Sequence, residues 1–367
     1  MTQRQNELET AKILSAITKP VVVVAMVGRY RTGKSYLMNL LAGHQTGFAL
    51  GHTVQSQTKG IWVWALQHPY DKHKYLLLLD TEGLGDVEKG SSSNDMSLFI
   101  MALLLSSQLV LNTTSVLSKD GLDQLQYPLI SISSDFDEYF PGLVVCVRDF
   151  TLQLEINGQS CTADDYLNHC LGLRKKGNTR ECRSFNEQRE LLEQYFLNRR
   201  CFVFPPPASP ENMQYLETIS EDQINQQFVK TADNFKNDSY FLPVILVKKV
   251  TNLDGCFACT AGFMALASQY VEAQRKGVIP CIEDATTSIS CAANKEALEQ
   301  STELYKQCME AIRNSLPLTT TDLNAAHGRA TERAVLLFKD NSVLDSERKY
   351  EEELNVRISV DLSWTSL

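Results

Sequence analysis

Eight consecutive residues, Gly28-Arg29-Tyr30-Arg31-Thr32-Gly33-Lys34-Ser35, carry the spacing G-x-x-x-x-G-K-[ST]. A loop of this kind turns successive backbone N–H groups toward one point, where they can surround a polyphosphate. A helix opening at Gly33 aims its positive end at the same anion. In this reading Gly28, Tyr30, Arg31, Thr32, Gly33, Lys34, Ser35 and Tyr36 line the phosphates. Lys34 reaches the outer ones, and the Ser35 hydroxyl is a magnesium ligand. The implied ligand is a nucleoside triphosphate with Mg2+.

Chemistry on such a ligand needs a second carboxylate on the magnesium side, a residue that orients water and a reader of the base. Tyr75 to Leu79 reads as a buried strand, and Asp80 falls at its carboxyl end, where ligands of open α/β sheets collect. From there Asp80 can hold a magnesium-bound water. Gly83 lets the backbone approach a γ-phosphate, so the segment after it can order with triphosphate and relax with diphosphate. Thr58, in the polar stretch before the next strand, is the switch threonine that completes the magnesium shell. The N-K-x-D guanine motif is missing, since Asn294-Lys295-Glu296-Ala297 sits in a helical pattern and has no aspartate. Asp149, after the strand Leu143–Val147 and Arg148, can accept from both guanine N1–H and the 2-amino group. Adenine offers no such donor pair, and a wrong base would leave a buried charge unpaired.

The elements that must position these residues alternate along the chain. Strands are expected at Val21–Val27, Gly60–Leu66, Tyr75–Leu79, Leu143–Val147 and Cys201–Phe204. Helices are expected at Ser35–Ala42, Ser97–Ser106, Thr162–Leu173 and Asn186–Asn198. That alternation marks an α/β domain with a mainly parallel sheet. The apolar segment Leu98–Leu111 reads as a core helix, too short to span a membrane. After Pro280 the pattern turns helical, with Glu283–Asn314 and Asp322–Lys339 as two helices and Glu347–Leu354 as a charged continuation. From Val356 the residues alternate in a way foreign to that helix. The expected division is a large nucleotide domain over 1–283 and the start of an all-α region over 284–367.

Composition narrows the function further. The 367 residues are 43% hydrophobic, enough for a packed core, and carry a net charge of -9. Nucleic acid is thereby disfavoured as a partner. The basic stretch Arg174-Lys175-Lys176 reads as a solvated face, and no secretory signal opens the chain. Ten scattered cysteines suit a reduced, cytoplasmic protein, and the lone C-x-x-C pair, Cys256 and Cys259, has no partner ligands at zinc spacing.

Three strings, Gly28 to Asn39, Thr53 to Trp62 and Leu79 to Lys89, together resemble the guanylate-binding proteins, the interferon-inducible large GTPases of the dynamin superfamily. Matching stretches at Arg148-Asp149-Phe150, Cys201 to Phe204 and Pro280 to Glu283 extend the resemblance from about Leu8 to Phe338. It implies a P-loop GTPase domain followed by a helical domain, and a GTP-driven homodimer, or hetero-oligomer with relatives, that stimulates hydrolysis to GDP and in some members GMP. It also implies roles: Arg31 as an arginine finger in cis, Ser56 as the water-positioning serine, Thr58 on magnesium and Glu82 as the acidic switch residue. Arg148 and Asp149 become the guanine readers. Three departures accompany the resemblance. The helical region is shorter, and Trp364 to Leu367 holds no cysteine for prenylation, leaving only indirect routes to a membrane. The loop after Pro207 is acidic (Glu211, Glu217, Glu221, Asp222), which bears on dimer strength. A nucleotide-dependent interaction module with weak turnover, altering the assembly of full-length relatives, is the alternative.

Overall fold

The computed structural model describes residues 17, 19–50, 58, 60–85, 92–117, 121–122, 125, 140–172, 179–240, 260–276, 282–313, 319–342, 345 and 348–361. Strand β1 (Val21–Gly28) is buried along its whole length, as a continuous apolar, valine-rich run requires when both faces of a sheet are covered. Around it lie β2 (Ile61–Gln67), β3 (Tyr75–Thr81), β4 (Gln108–Thr114), β5 (Gly142–Arg148) and β8 (Arg199–Val203), in the order β2-β3-β1-β4-β5-β8. Among the described residues β2 alone runs antiparallel to its neighbour in this sheet, and the other pairings are parallel. A small hairpin, β6 (Glu155–Ile156) with β7 (Gln159–Ser160), stands apart from this sheet.

Alternate residues of β1 face opposite layers, as the two-residue strand period dictates. Val21, Val23, Ala25 and Val27 pack in one cluster with α2 (Ser92–Leu105), α3 (Ala163–Leu171) and α4 (Arg180–Tyr195). Val22, Val24 and Met26 pack in the other with α1 (Lys34–Ala42) and α5 (Gln226–Tyr240). The sheet is thus covered on both faces, with the carboxyl ends of its parallel strands at one rim.

Helix α6 (Thr260–Arg275) adds Phe263 and Tyr270 to the first cluster, and so does Ala293 of the long α7 (Ile282–Arg313). Further along α7, Ala297, Leu298 and Tyr305 pack instead with α8 (Thr320–Asn341) and α9 (Lys349–Asp361). One helix therefore serves the sheet core at its start and the helical core beyond it.

Two expectations are corrected. Leu98–Leu111 is not one helix: α2 stops at Leu105 and β4 begins at Gln108. Ser107 makes the junction by accepting at its Oγ from Val23 N (3.1 Å) and donating its own N–H to Val23 O (2.8 Å). The alternating segment from Val356 is helical as far as Asp361. Tyr350, Leu354 and Ile358, four apart, form the buried stripe that packs α9 on the helical core. Three helices, α7, α8 and α9, share that core. Arg174 to Lys176, Cys256, Cys259 and Trp364 to Leu367 lie outside the described residues.

Candidate functional site

The loop from β1 to α1 contains three positive-φ residues, Gly28 (146°), Arg31 (64°) and Gly33 (77°). A Cβ at Gly28 would stand 2.1 Å from the Asn112 carbonyl oxygen, so no side chain fits there. Gly33 caps α1 in a left-handed conformation with no side-chain cap, and the helix's first turn holds no acidic residue. Among the described residues no side-chain cap and no first-turn acidic residue compete for the start of α1, which favours an anion there. Lys34 is buried, with Nζ donating to the Arg29 carbonyl at 3.1 Å, and the Thr32 hydroxyl donates to the same oxygen at 2.8 Å. Arg31 is exposed and Tyr30 half-buried.

Beside this loop three oxygens converge. Ser35 Oγ donates to Asp80 Oδ2 at 2.6 Å, Thr58 Oγ1 donates to the same atom at 3.2 Å, and the two hydroxyls are 3.5 Å apart. Asp80 is fully buried at the end of β3, and its Oδ1 has no hydrogen-bond partner among the described residues. Burial pushes its carboxyl above the usual carboxylate range, opposed by the Ser35 hydrogen bond, the Lys34 charge and the Thr58 hydrogen bond. Two hydroxyls and a carboxylate with a spare buried oxygen form a hard donor set that suits an oxygen-seeking divalent cation.

The following residues tie both switch candidates to the loop. Glu82 is buried, accepts at Oε2 from Gly60 N (3.0 Å) and donates its own N–H to Gly60 O (2.8 Å). Leu84 N donates to Gly28 O (3.1 Å) and Tyr30 N donates to Leu84 O (3.2 Å), a short parallel bridge between the loop and the segment after β3. Gly83 permits the approach, since its Cβ would stand 2.2 Å from the Tyr30 Cα. Ser56 lies outside the described residues.

At the end of β5, Arg148 is buried with Nη1 donating to the Gly33 carbonyl at 3.3 Å. Its guanidinium stands 6.0, 5.7 and 5.4 Å from the ring centres of Tyr36, Phe204 and Phe228. Asp149, next in the chain, has φ 55° and a buried Oδ1 with no hydrogen-bond partner among the described residues. The strand end therefore braces the phosphate loop with one residue and presents a carboxylate with the next. Asn112, two residues before the end of β4, also reaches the loop, donating through Nδ2 to Thr32 O and Thr32 Oγ1, both at 2.8 Å. The sequence gives no sign of it, because the expected helix Leu98–Leu111 takes in the first residues of β4 and hides the strand.

The P-loop, the convergent Ser35, Thr58 and Asp80, and a carboxylate after β5 narrow the family sharply. Residues 3–250 match the family model described as guanylate-binding protein, N-terminal domain, and residues 260–362 match guanylate-binding protein, C-terminal domain. The chain belongs to the guanylate-binding protein family. It is 40% identical over 362 residues to guanylate-binding protein 2 of Mus musculus, covering 94% of this chain and 61% of that protein. Identity to the Homo sapiens guanylate-binding protein 2 is 40% over 367 residues, 95% of this chain and 61% of the relative. For Homo sapiens guanylate-binding protein 1 it is 38% over 370 residues, with 95% and 61% covered. The chain spans about three fifths (61%) of the length of these relatives. As in the family, a GTPase-type α/β domain is followed by a helical region.

Proposed function

We propose that this chain binds GTP with Mg2+ and hydrolyses it to GDP, in the interferon-linked defence role of its family, with turnover stimulated by a nucleotide-dependent dimer. The observation that carries the reading is the convergence of Ser35 Oγ, Thr58 Oγ1 and Asp80 Oδ2, from sequence separations of 23 and 45 residues, beside the uncapped start of α1. Bound there, Mg2+ would supply charge neutralisation between the β- and γ-phosphates, held directly by Ser35 and Thr58 and through water by Asp80.

The chain's own residues do the rest. Lys34 leaves the Arg29 carbonyl for the outer phosphates, and the N–H groups opening α1 take the anion. Arg31, which is exposed, is the finger that offsets charge as the γ-phosphoryl departs. Ser56 orients the attacking water, and Glu82, hydrogen-bonded to Gly60, holds the strand end that leads to Thr58. Asp149 offers its Oδ1 to the guanine edge. The site opens to the cytoplasm in this reading. Among the described residues no helix is long and apolar enough to cross a membrane.

The weak-turnover alternative is favoured by the loop after Pro207, where Glu211 and Asp222 are exposed. Two like-charged loops facing each other oppose pairing. Affinity for GTP against ATP, with products analysed at low and high protein concentration, separates the readings. GTP selectivity and GDP release are expected in the wild type, and Lys34→Ala should lose tight GTP binding. Equal affinity for ATP and GTP, or full binding by Lys34→Ala, sinks the assignment.

A further inference from the structure

Asn112 belongs to no part of the phosphate-loop motif, yet it grips the loop at two levels. It pairs with Gly28, the last residue of β1, and its backbone carbonyl stands where a Cβ on Gly28 would come to 2.1 Å. Its side-chain Nδ2 donates at 2.8 Å to both the Thr32 carbonyl and the Thr32 hydroxyl. With its oxygen accepting there, that hydroxyl passes its own proton to the Arg29 carbonyl at 2.8 Å. The bonds therefore cross the loop from Asn112 to Arg29 and enclose Arg31, whose backbone is held at φ 64°.

We propose that Asn112 is a positioning residue, which sets the phosphate-loop conformation that aims Arg31 and the Gly33 N–H at the triphosphate. Two physical points carry this. In a trans peptide the C=O and N–H point opposite ways. Pinning the Thr32 carbonyl toward β4 therefore turns the Gly33 N–H to the other side. Secondly, a left-handed non-glycine residue persists only where its surroundings over-determine it. Asn112 and Thr32 supply that constraint around Arg31. The orientation of the amide follows from chemistry, since the reversed amide would set its oxygen against the Thr32 carbonyl, two acceptors together. Asn112 is 1% exposed and its Oδ1 has no hydrogen-bond partner among the described residues, so the donor end does the holding.

This inference rests on the GTP reading above. Its test uses the full chain as wild type, Asn112→Leu (similar shape, no donor), Arg31→Ala and the double variant. Melting midpoint, GTP affinity and kcat are measured for each. Asn112→Leu should still melt cooperatively, bind GTP about tenfold more weakly and turn over on the order of a hundredfold more slowly. In the Arg31→Ala background the same change should lower kcat less than about twofold while the affinity loss persists, because the finger it positions is gone. Equal kcat losses in both backgrounds, as general loosening would produce, overturn the proposal. So does wild-type behaviour of Asn112→Leu. Should Asn112→Leu fail to fold, Thr32→Val removes the hydroxyl relay while keeping the bond to the Thr32 carbonyl, so the kcat expectation and its overturning results apply to it and the affinity loss does not. A wild type that binds no GTP defeats the parent reading instead, a result read before any variant is compared.

Discussion

Asp149 shows how much one residue's backbone decides. Strand β5 alternates, so Arg148 turns into the ring cage of Tyr36, Phe204 and Phe228 while Asp149, at φ 55°, leaves the strand direction. The sequence pairs the two as one base-reading unit. Their surroundings give them separate neighbours, because only Arg148 reaches the Gly33 carbonyl. If Asp149 accepts two guanine donors, Asp149→Asn exchanges one acceptor for a donor. GTP affinity should then fall roughly a hundredfold or more, while xanthosine triphosphate, which presents an acceptor at that edge, is gained. Competition binding with the two nucleotides gives the ratio, and an unchanged ratio would show that guanine is read elsewhere. Lys34, Ser35 and Asp80 were legible from the sequence because each sits at a fixed offset in a motif whose chemistry demands its type. Asn112 was not, since an asparagine near a strand end carries no such signature and its strand was hidden in a leucine run.

At the scale of elements, the bridge between the phosphate loop and the segment after β3 is the joint on which the site turns. It consists of two backbone hydrogen bonds at 3.1 and 3.2 Å, made possible by the missing side chain at Gly83. In Gly83→Ala the new methyl would overlap the Tyr30 Cα at 2.2 Å, backbone against backbone, so the strands must part. The overlap should cost about 1–3 kcal/mol of stability. Shifting Tyr30 also displaces its neighbour Arg31, and kcat should fall by on the order of a hundredfold. Thermal melting and single-turnover kinetics read the two effects separately; full turnover in this variant would show that the bridge is dispensable. Element legibility follows similar physics. Val21 to Val27 points to β1, since a valine-rich apolar run this short, closed by Gly28, suits a buried strand. Between Leu105 and Gln108 no glycine or proline marks the turn, and Ser107 continues the hydrogen bonding with its own side chain. Period alone could not divide that segment. The converse error befell Val356 to Asp361, where apparent alternation masked the four-residue stripe of Tyr350, Leu354 and Ile358.

The loop bearing Arg31 follows the carboxyl end of β1, in a sheet whose two faces are covered, and Arg31 itself is exposed. The loop conformation held from β4 sets the direction of that finger, and whatever closes over the rim brings it into its catalytic position. In our reading that is a second copy of the chain. An arginine that engages only as charge migrates adds little to ground-state affinity, because only differential stabilisation lowers the barrier. Arg31→Ala should therefore lower kcat about a hundredfold or more and leave GTP affinity within roughly threefold. Wild-type turnover per molecule should rise with protein concentration, and the rise should vanish in the variant. The net charge of -9 and the exposed Glu211 and Asp222 oppose association, so the rise should move to lower protein concentration as salt screens these charges. A turnover number flat in both concentration and salt would remove dimer stimulation while leaving nucleotide binding intact. Wild-type turnover by Arg31→Ala would remove the finger itself, and catalysis would then have to be sought among Ser56, Glu82 and the groups around Asp80.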